Sequence, residues 1–310
     1  MARRPPTGPA RRKRSRMRPQ LVISATLLLD VLLFAFNLTV AISGGSRAVL
    51  SQAVYALSDV FAGAMVMWGF LASQRPPDHE HPFGYGKERF FWSFSAGLLA
   101  FTFAGGFVLI SGVQQMLGPH TVQDIPEGLL VVGATLLLSL IGILVVLREL
   151  RRDAATISDF LGSAHQGLKT IFYQDVISVI GSGVAFGGLL YEFHSPSGVV
   201  DGLTAVVVGV LMVVTGIVLA AESRDLLVGK AISPQQARAV LSLVERDPRV
   251  RKVRGLQSMM LGPDDVLLAL RVNFLDDMDT DEIETSIDHL SLTLREAFPQ
   301  VRHLLIEPES

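Results

Sequence analysis

From residue 20 to residue 222 the chain is written in long apolar runs broken by short polar joints, and beyond 222 the pattern turns amphipathic and alternating. Six runs, near 21–43, 48–73, 90–116, 127–147, 170–192 and 198–221, match the length of about 20 helical residues that crosses ~30 Å of hydrocarbon. Backbone polar groups in lipid must pair within their own segment, so each run is expected as a transmembrane helix. An even number of crossings leaves both termini on one side.

The remainder reads as a soluble domain. Ser233, then Pro234 and Gln236, marks a helix start, and Ala237, Val240, Leu241 and Val244 recur at helical spacing. Two strand-like runs, "KVRGLQSMML" and "DVLLALRVNF", flank the turn "GPD". An amphipathic helix follows in "DTDEIETSIDHLSLTLREAF", and "RHLLIEP" closes as a third strand. The order α-β-β-α-β predicts a two-layer α+β domain with its helices on one sheet face. The acidic run "DDMDTDEIE" lacks the spacing of a calcium-binding EF-hand loop. Its carboxylates suit a helix N-terminus, where the dipole favours them. The organisation is thus a tail over 1–19, a membrane domain over 20–222 and a soluble domain over 223–310.

Charge sets the orientation. Only 18% of residues are charged, against about 25% in soluble domains, and mean hydropathy is +0.43. Eight Lys and Arg crowd residues 3–18, and more follow at Arg75, Lys87, Arg89, Arg148, Arg151, Arg152 and Lys169. The three opposite joints hold only Arg47. Positive-inside bias places both termini in the cytoplasm of a cell (plasma or inner) membrane protein. The tail also has the composition of a targeting peptide or a nucleic-acid arm; a topology anchor is the reading adopted, with the bilayer and no nucleic acid as partner. There is no cysteine, so a metal would need oxygen or imidazole ligands.

Ionisable residues inside a bilayer are costly, by at least ~2.5–3.5 kcal/mol at a helix centre, and mark function by default. Asp30, Asp59 and Asp175 lie in the first, second and fifth runs. Tyr55 and Asp59 are four apart and share a helix face, while Gln174 and Asp175 point about 100° apart. If the second and fifth helices meet, Asp59 and Asp175 together neutralise one dication. Without the metal one carboxyl holds a proton, which makes a proton-for-metal exchange. The alternative is structural hydrogen bonding between helices. For Asp30 both readings stand: lining the same cavity, or pairing with a polar group such as Asn37.

The loop "DHEHPFGYGKERF", the "ALSD" of the second helix, the "AAESRDLLVG" exit of the sixth and the αββαβ tail together resemble the cation diffusion facilitator family of metal efflux transporters, from about residue 20 to the C-terminus. "LSQAVYALSD", "MMLGPDDVLLALRVNF" and "LLIEPES" look most like the branch of the zinc transporter nine group. The resemblance implies a homodimer, six membrane helices per protomer and a cytoplasmic ferredoxin-like domain. It implies export of Zn²⁺ or a related ion for H⁺, with no permanently bound cofactor. The family's transport site pairs a His or Asp with an Asp four residues later on helices two and five. Asp59 and Asp175 match the second members; Tyr55 and Ile171 stand where the first would be. Two carboxylates, the Tyr55 phenol and the Gln174 carbonyl form a harder set than one with imidazole, tilting selectivity toward Mn²⁺, Fe²⁺, Co²⁺ or Mg²⁺.

A second family metal site maps onto Asp78, His81 and Tyr85, with His79 and Glu80 nearby. The competing reading is interfacial: Phe83, Tyr85, Phe90, Phe91 and Trp92 anchor a helix end, Lys87 and Arg89 meet headgroups, and Gly84 and Gly86 permit a tight turn. In the soluble domain His289 and His303 are isolated, and no metal is assigned to them. A transport-incompetent regulator or assembly partner is the alternative function. An enzyme has little support, since no G-x-S-x-G, H-E-x-x-H or P-loop occurs.

Overall fold

The computed structural model describes residues 19–44, 47–117, 125–152, 166–194 and 199–309. The basic tail that orients the chain in the sequence argument lies outside them. The apolar runs fold as helices α1 (Pro19–Gly44), α2 (Arg47–Ala72), α5 (Ile125–Arg152), α6 (Gln166–His194) and α7 (Val199–Val228). The third run is one helical stretch in three parts: α3 (Glu88–Ala96), a π-helical segment (Gly97–Ala104) and α4 (Gly105–Leu117). Pro76 and Pro77 follow α2 and cannot continue it, which separates it from α3.

Among the described residues, four stretches are by themselves long and apolar enough to cross a membrane: Gln20–Val40, Gly128–Arg148, Leu168–Gly188 and Ala205–Val228. The second and third runs offer the shorter apolar helices Ala56–Ala72 and Gly105–Leu117. The π-helical segment interrupts the third run. The helices are sheathed in large apolar side chains facing outward, such as Leu130, Leu137 and Leu144 at seven-residue intervals on α5. In water such a surface would be a liability; against lipid it is the natural exterior.

Packing divides the helices into two groups. α1 lies along α2 and touches α5, and α5 pairs with α6. α4 and the π-helical segment pack on α7, which also meets α3 and α6. The α4–α7 contact is a close approach through glycine: Gly105 and Gly112 face Gly209 and Gly202 across the seam. Between apolar helices in lipid, such approach substitutes dispersion contact for the hydrophobic drive that is absent there.

The soluble domain comprises α8 (Pro234–Val244), β1 (Val250–Gly262), β2 (Asp265–Phe274), α9 (Thr280–Ala297) and β3 (Val301–Pro308). Capping boxes start both helices: Ser233 with Gln236, and Asp279 with Glu282. The acidic run is therefore a helix entry. The sheet order is β1-β2-β3, antiparallel between β1 and β2 and parallel between β2 and β3. Val266, Leu268, Leu270 and Val272 of the central strand pack beneath Val240 and Val244 of α8 and Leu290 and Leu294 of α9. The domain's own helices thus cover one face of "DVLLALRV"; the opposite face carries Leu267, Ala269 and Arg271, with Leu305 beside Ala269.

A methyl group on Gly209 would lie 2.7 Å from the Leu109 backbone nitrogen, whereas one on Gly187 of α6 meets nothing within 4 Å. Gly209→Ala is expected to destabilise the protein by about 1–3 kcal/mol through overpacking. Gly187→Ala is expected to be neutral or slightly stabilising. Thermal unfolding of both variants in detergent checks the contrast.

Candidate cation site

Asp59 of α2 and Asp175 of α6 are each about nine-tenths buried, at 8% and 9% exposure. Counted from the helix ends beside the 73–87 loop, Asp30, Asp59 and Asp175 lie roughly 17, 20 and 14 Å deep at ~1.5 Å per residue. They occupy one level of the α1–α2–α5–α6 group. Asp59 stands in the electrostatic field of both Asp30 and Asp175, and its carboxyl accepts a hydrogen bond from the Gln174 side chain. Asp30 and Asp175 also interact with each other. One Asp175 oxygen, Oδ2, is buried without a hydrogen-bond partner.

Two glycines make room for these carboxyls. A Cβ at Gly142 of α5 would fall 2.5 Å from Asp175 Oδ2, so this carboxyl rests against the α5 backbone. Gly63 follows Asp59 by one turn on α2, and a Cβ there would lie 3.5 Å from Asp30 Oδ2. Beyond Asp175, the Ser139 hydroxyl donates to Ser178 (2.7 Å), joining α5 to α6 through polar groups. Toward the 73–87 loop the lining turns apolar: Ile171 is 4% exposed and packs with Val22, Ile23, Ala62 and Val66. The residue standing at the family's first-ligand position on this helix is therefore core. The Tyr55 side chain lies outside the described residues. Asn37 is two turns from Asp30, about 10 Å along α1, too far for the direct pairing considered from sequence. Among the described residues no three His, Cys, Asp or Glu close on a metal-sized space. The acids share one field without forming a finished cage.

Lys169, counted from sequence among the loop charges, sits within α6 at 3% exposure and donates to Glu222 Oε2 of α7 at 3.0 Å. Hydropathy cannot distinguish such a buried pair from an interfacial lysine. Gly142 and Gly63 were also missed; the only signal was a glycine inside an apolar helix, and, for Gly63, its place one turn after an acid.

The loop residues Asp78, His81 and Tyr85 do come together, through hydrogen bonds. The Tyr85 hydroxyl donates to Asp78 Oδ2 (2.7 Å), and the His81 and Glu80 backbone N–H groups donate to Oδ1 (2.7 and 3.1 Å). The His81 and Tyr85 rings lie 4.3 Å apart, and the Arg75 guanidinium sits 5.9 Å over the tyrosine. Both Asp78 oxygens are thus engaged. The two glycines have different tasks. Gly84 adopts φ 79°, which turns the chain, while Gly86 lies so close to the Leu261 carbonyl that a side chain would collide. The loop presses on the soluble domain, where Phe83 meets His303 edge to face at 5.1 Å and Lys87 Nζ lies 3.7 Å from Met259 Sδ; the same Nζ donates to the Leu227 carbonyl of α7 (3.2 Å). His303 also faces Asp265 at 3.8 Å, and His289 lies 3.2 Å from Asp247.

A bundle of apolar helices with carboxyls at mid-depth, joined to a small α+β domain, defines a membrane protein built to handle cations within its interior. The sequence pattern of the cation efflux transmembrane domain matches residues 23–228, and the chain belongs to the cation efflux family. It is 25% identical over 260 residues to Metal tolerance protein C4 of Arabidopsis thaliana, covering 82% of this chain and 57% of that protein. It is 24% identical over 261 residues to the mitochondrial Proton-coupled zinc antiporter SLC30A9 of Homo sapiens, covering 83% and 46%. Against the Cation-efflux pump FieF of Cronobacter sakazakii it is 27% identical over 246 residues, covering 77% and 74%. The chain therefore spans about half the length of the first two relatives.

The Tyr85 hydroxyl, followed by the His81 backbone N–H, holds the Asp78 carboxyl below its ordinary value of 3.8. The clasp therefore contributes fully above that value and is lost as pH falls through the lowered one. Tyr85→Phe is expected to raise the Asp78 titration toward the ordinary value, read by carboxyl ¹³C NMR.

Proposed function

We propose that the protein exports a divalent metal cation through its membrane domain in exchange for protons, with Asp59 and Asp175 as the carboxylates that receive the ion. The observation that carries the reading is the meeting of these two acids from α2 and α6 at one depth, nine-tenths buried, inside a chain of the cation efflux family. Burial leaves such carboxyls two ways of losing their charge: binding a dication or taking up protons. Alternation between the two is antiport. Gln174 holds Asp59 from α6 and supplies an amide carbonyl as a further oxygen, while Tyr55 stands one turn from Asp59 on α2. An oxygen-only set favours Mn²⁺, Fe²⁺ or Co²⁺ over Zn²⁺. The named relatives, a zinc antiporter and a cation-efflux pump, support the transport class.

In this reading all six apolar runs cross a cell membrane, both termini are cytoplasmic, and the protein is a transporter and not an enzyme. The soluble domain is ferredoxin-like and pairs with a second copy. Its helix-free sheet face, where Leu305 is 61% exposed, supports an uncovered surface available to that copy. The Asp78–His81–Tyr85 cluster is a hydrogen-bonded clasp in place of a second metal site. One observation favours the alternative of a transport-incompetent regulator: Ile171 is apolar core where the family places a ligand.

Proteoliposomes loaded with a pH dye separate the two. Wild type is expected to take up Mn²⁺ or Co²⁺ with counterflow of protons, and Asp59→Ala and Asp175→Ala to lose at least about 100-fold in rate, the scale of removing one partner of a buried charged site. Absence of uptake for every divalent ion tested would establish the regulator instead. Strong zinc uptake without manganese uptake would refute the metal preference alone.

A further inference from the structure

We propose that Asp30 on α1 is a third carboxylate of the cation site, so that the ion is drawn to Asp30, Asp59 and Asp175 together and not to a pair. The inference rests on the reading above that Asp59 and Asp175 receive the ion. Three observations on separate helices support it. Asp30 Oδ2 sits over Gly63, the residue one turn from Asp59 on the same face of α2, and the missing side chain there leaves its carboxyl room. Asp30 acts electrostatically on both other acids. Asp175 Oδ2, in a residue 9% exposed, is buried with no partner, which points to a group the protein itself does not supply.

Charge and chemistry assign the role. Ile171 gives α6 nothing at the position one turn before Asp175, so an ion held by this chain is short of donors there. A carboxyl on α1 compensates by charge, taking the site from two formal negative charges to three within the field the acids share, the composition that suits a hard, oxygen-seeking dication. The pairing that would make Asp30 merely structural is not available from Asn37, which lies two turns away, about 10 Å along α1.

Mn²⁺ binding to the detergent-purified full chain, read by EPR, tests this apart from transport. Asp30→Asn is expected to weaken Mn²⁺ affinity at least tenfold. Asp30→Glu, which keeps the charge, is expected to stay within a few-fold of wild type, with thermal unfolding unchanged in both. Should Asp30→Asn fail to fold, Asp30→Ser takes its place under the same criteria. Wild-type affinity in the neutral variant overturns the proposal, as does an equal loss in the neutral and charged variants, which marks a packing role. So does a wild-type chain that binds no Mn²⁺. Mn²⁺ binding that depends on Asp30, in a chain that moves no metal in proteoliposomes, upholds the third carboxylate and removes the transport reading only.

Discussion

Holding ionisable carboxyls in the middle of an apolar bundle is the constraint to which the rest of the membrane domain answers. Each acid at that depth costs at least ~2.5–3.5 kcal/mol on insertion scales. The protein offsets part of this with its own polar groups. Gln174 donates to Asp59, and the Ser139–Ser178 hydrogen bond keeps the α5–α6 seam polar beyond Asp175. It leaves the rest unmet, as the partnerless Asp175 Oδ2 shows. The apolar packing of Val22, Ala62, Val66 and Ile171 bounds the same site toward the 73–87 loop. Water reaching the acids from that side would screen their charges, so the apolar layer is as much a part of the site as the carboxyls.

Glycine placement follows from the same constraint. At Gly142 the glycine admits a carboxyl against a helix backbone; at Gly105, Gly112, Gly202 and Gly209 it admits one backbone against another. The first use builds a site and the second builds a scaffold. α6 belongs to both groups, carrying Gln174 to Asp59 of α2 and Asp175 against α5 while also packing on α7 through the Lys169–Glu222 pair. A shift of α6 relative to α7 would therefore break a part-buried ion pair.

Much of this was legible in sequence wherever the signal is local. Apolar runs gave helices near the expected bounds, and the boxes at Ser233 and Asp279 are present because a cap needs only residues three apart. Asp59 and Asp175 stood out because charge inside an apolar run is conspicuous. The neighbourhood of Asp30 did not, since which helix α1 lies against is decided by packing between segments far apart in sequence. Lys169 was misplaced for the same reason: its partner is 53 residues away. The loop residues stood out in sequence as a candidate metal group and do lie together, but Tyr85 closing on Asp78 has no periodic signature, and the separate tasks of Gly84 and Gly86 required the backbone angles and the position of Leu261.

The clasp changes how metal could act on this protein. A metal-held loop is stabilised only as far as the ion is bound, by a term that grows with its concentration. The 73–87 loop is held by its own hydrogen bonds, from Tyr85 and two backbone N–H groups to Asp78. It touches the soluble domain through Phe83 on His303 and Lys87 against Met259 Sδ, and α7 through the Leu227 carbonyl. In the soluble domain His289 lies within hydrogen-bond reach of Asp247 at 3.2 Å, while His303 faces Asp265 at 3.8 Å, beyond a hydrogen bond. Under the proposed function, a cation held among the acids of α1, α2 and α6 acts outward through helix packing, and the 73–87 loop is one place where the chain leaving α2 touches the soluble domain.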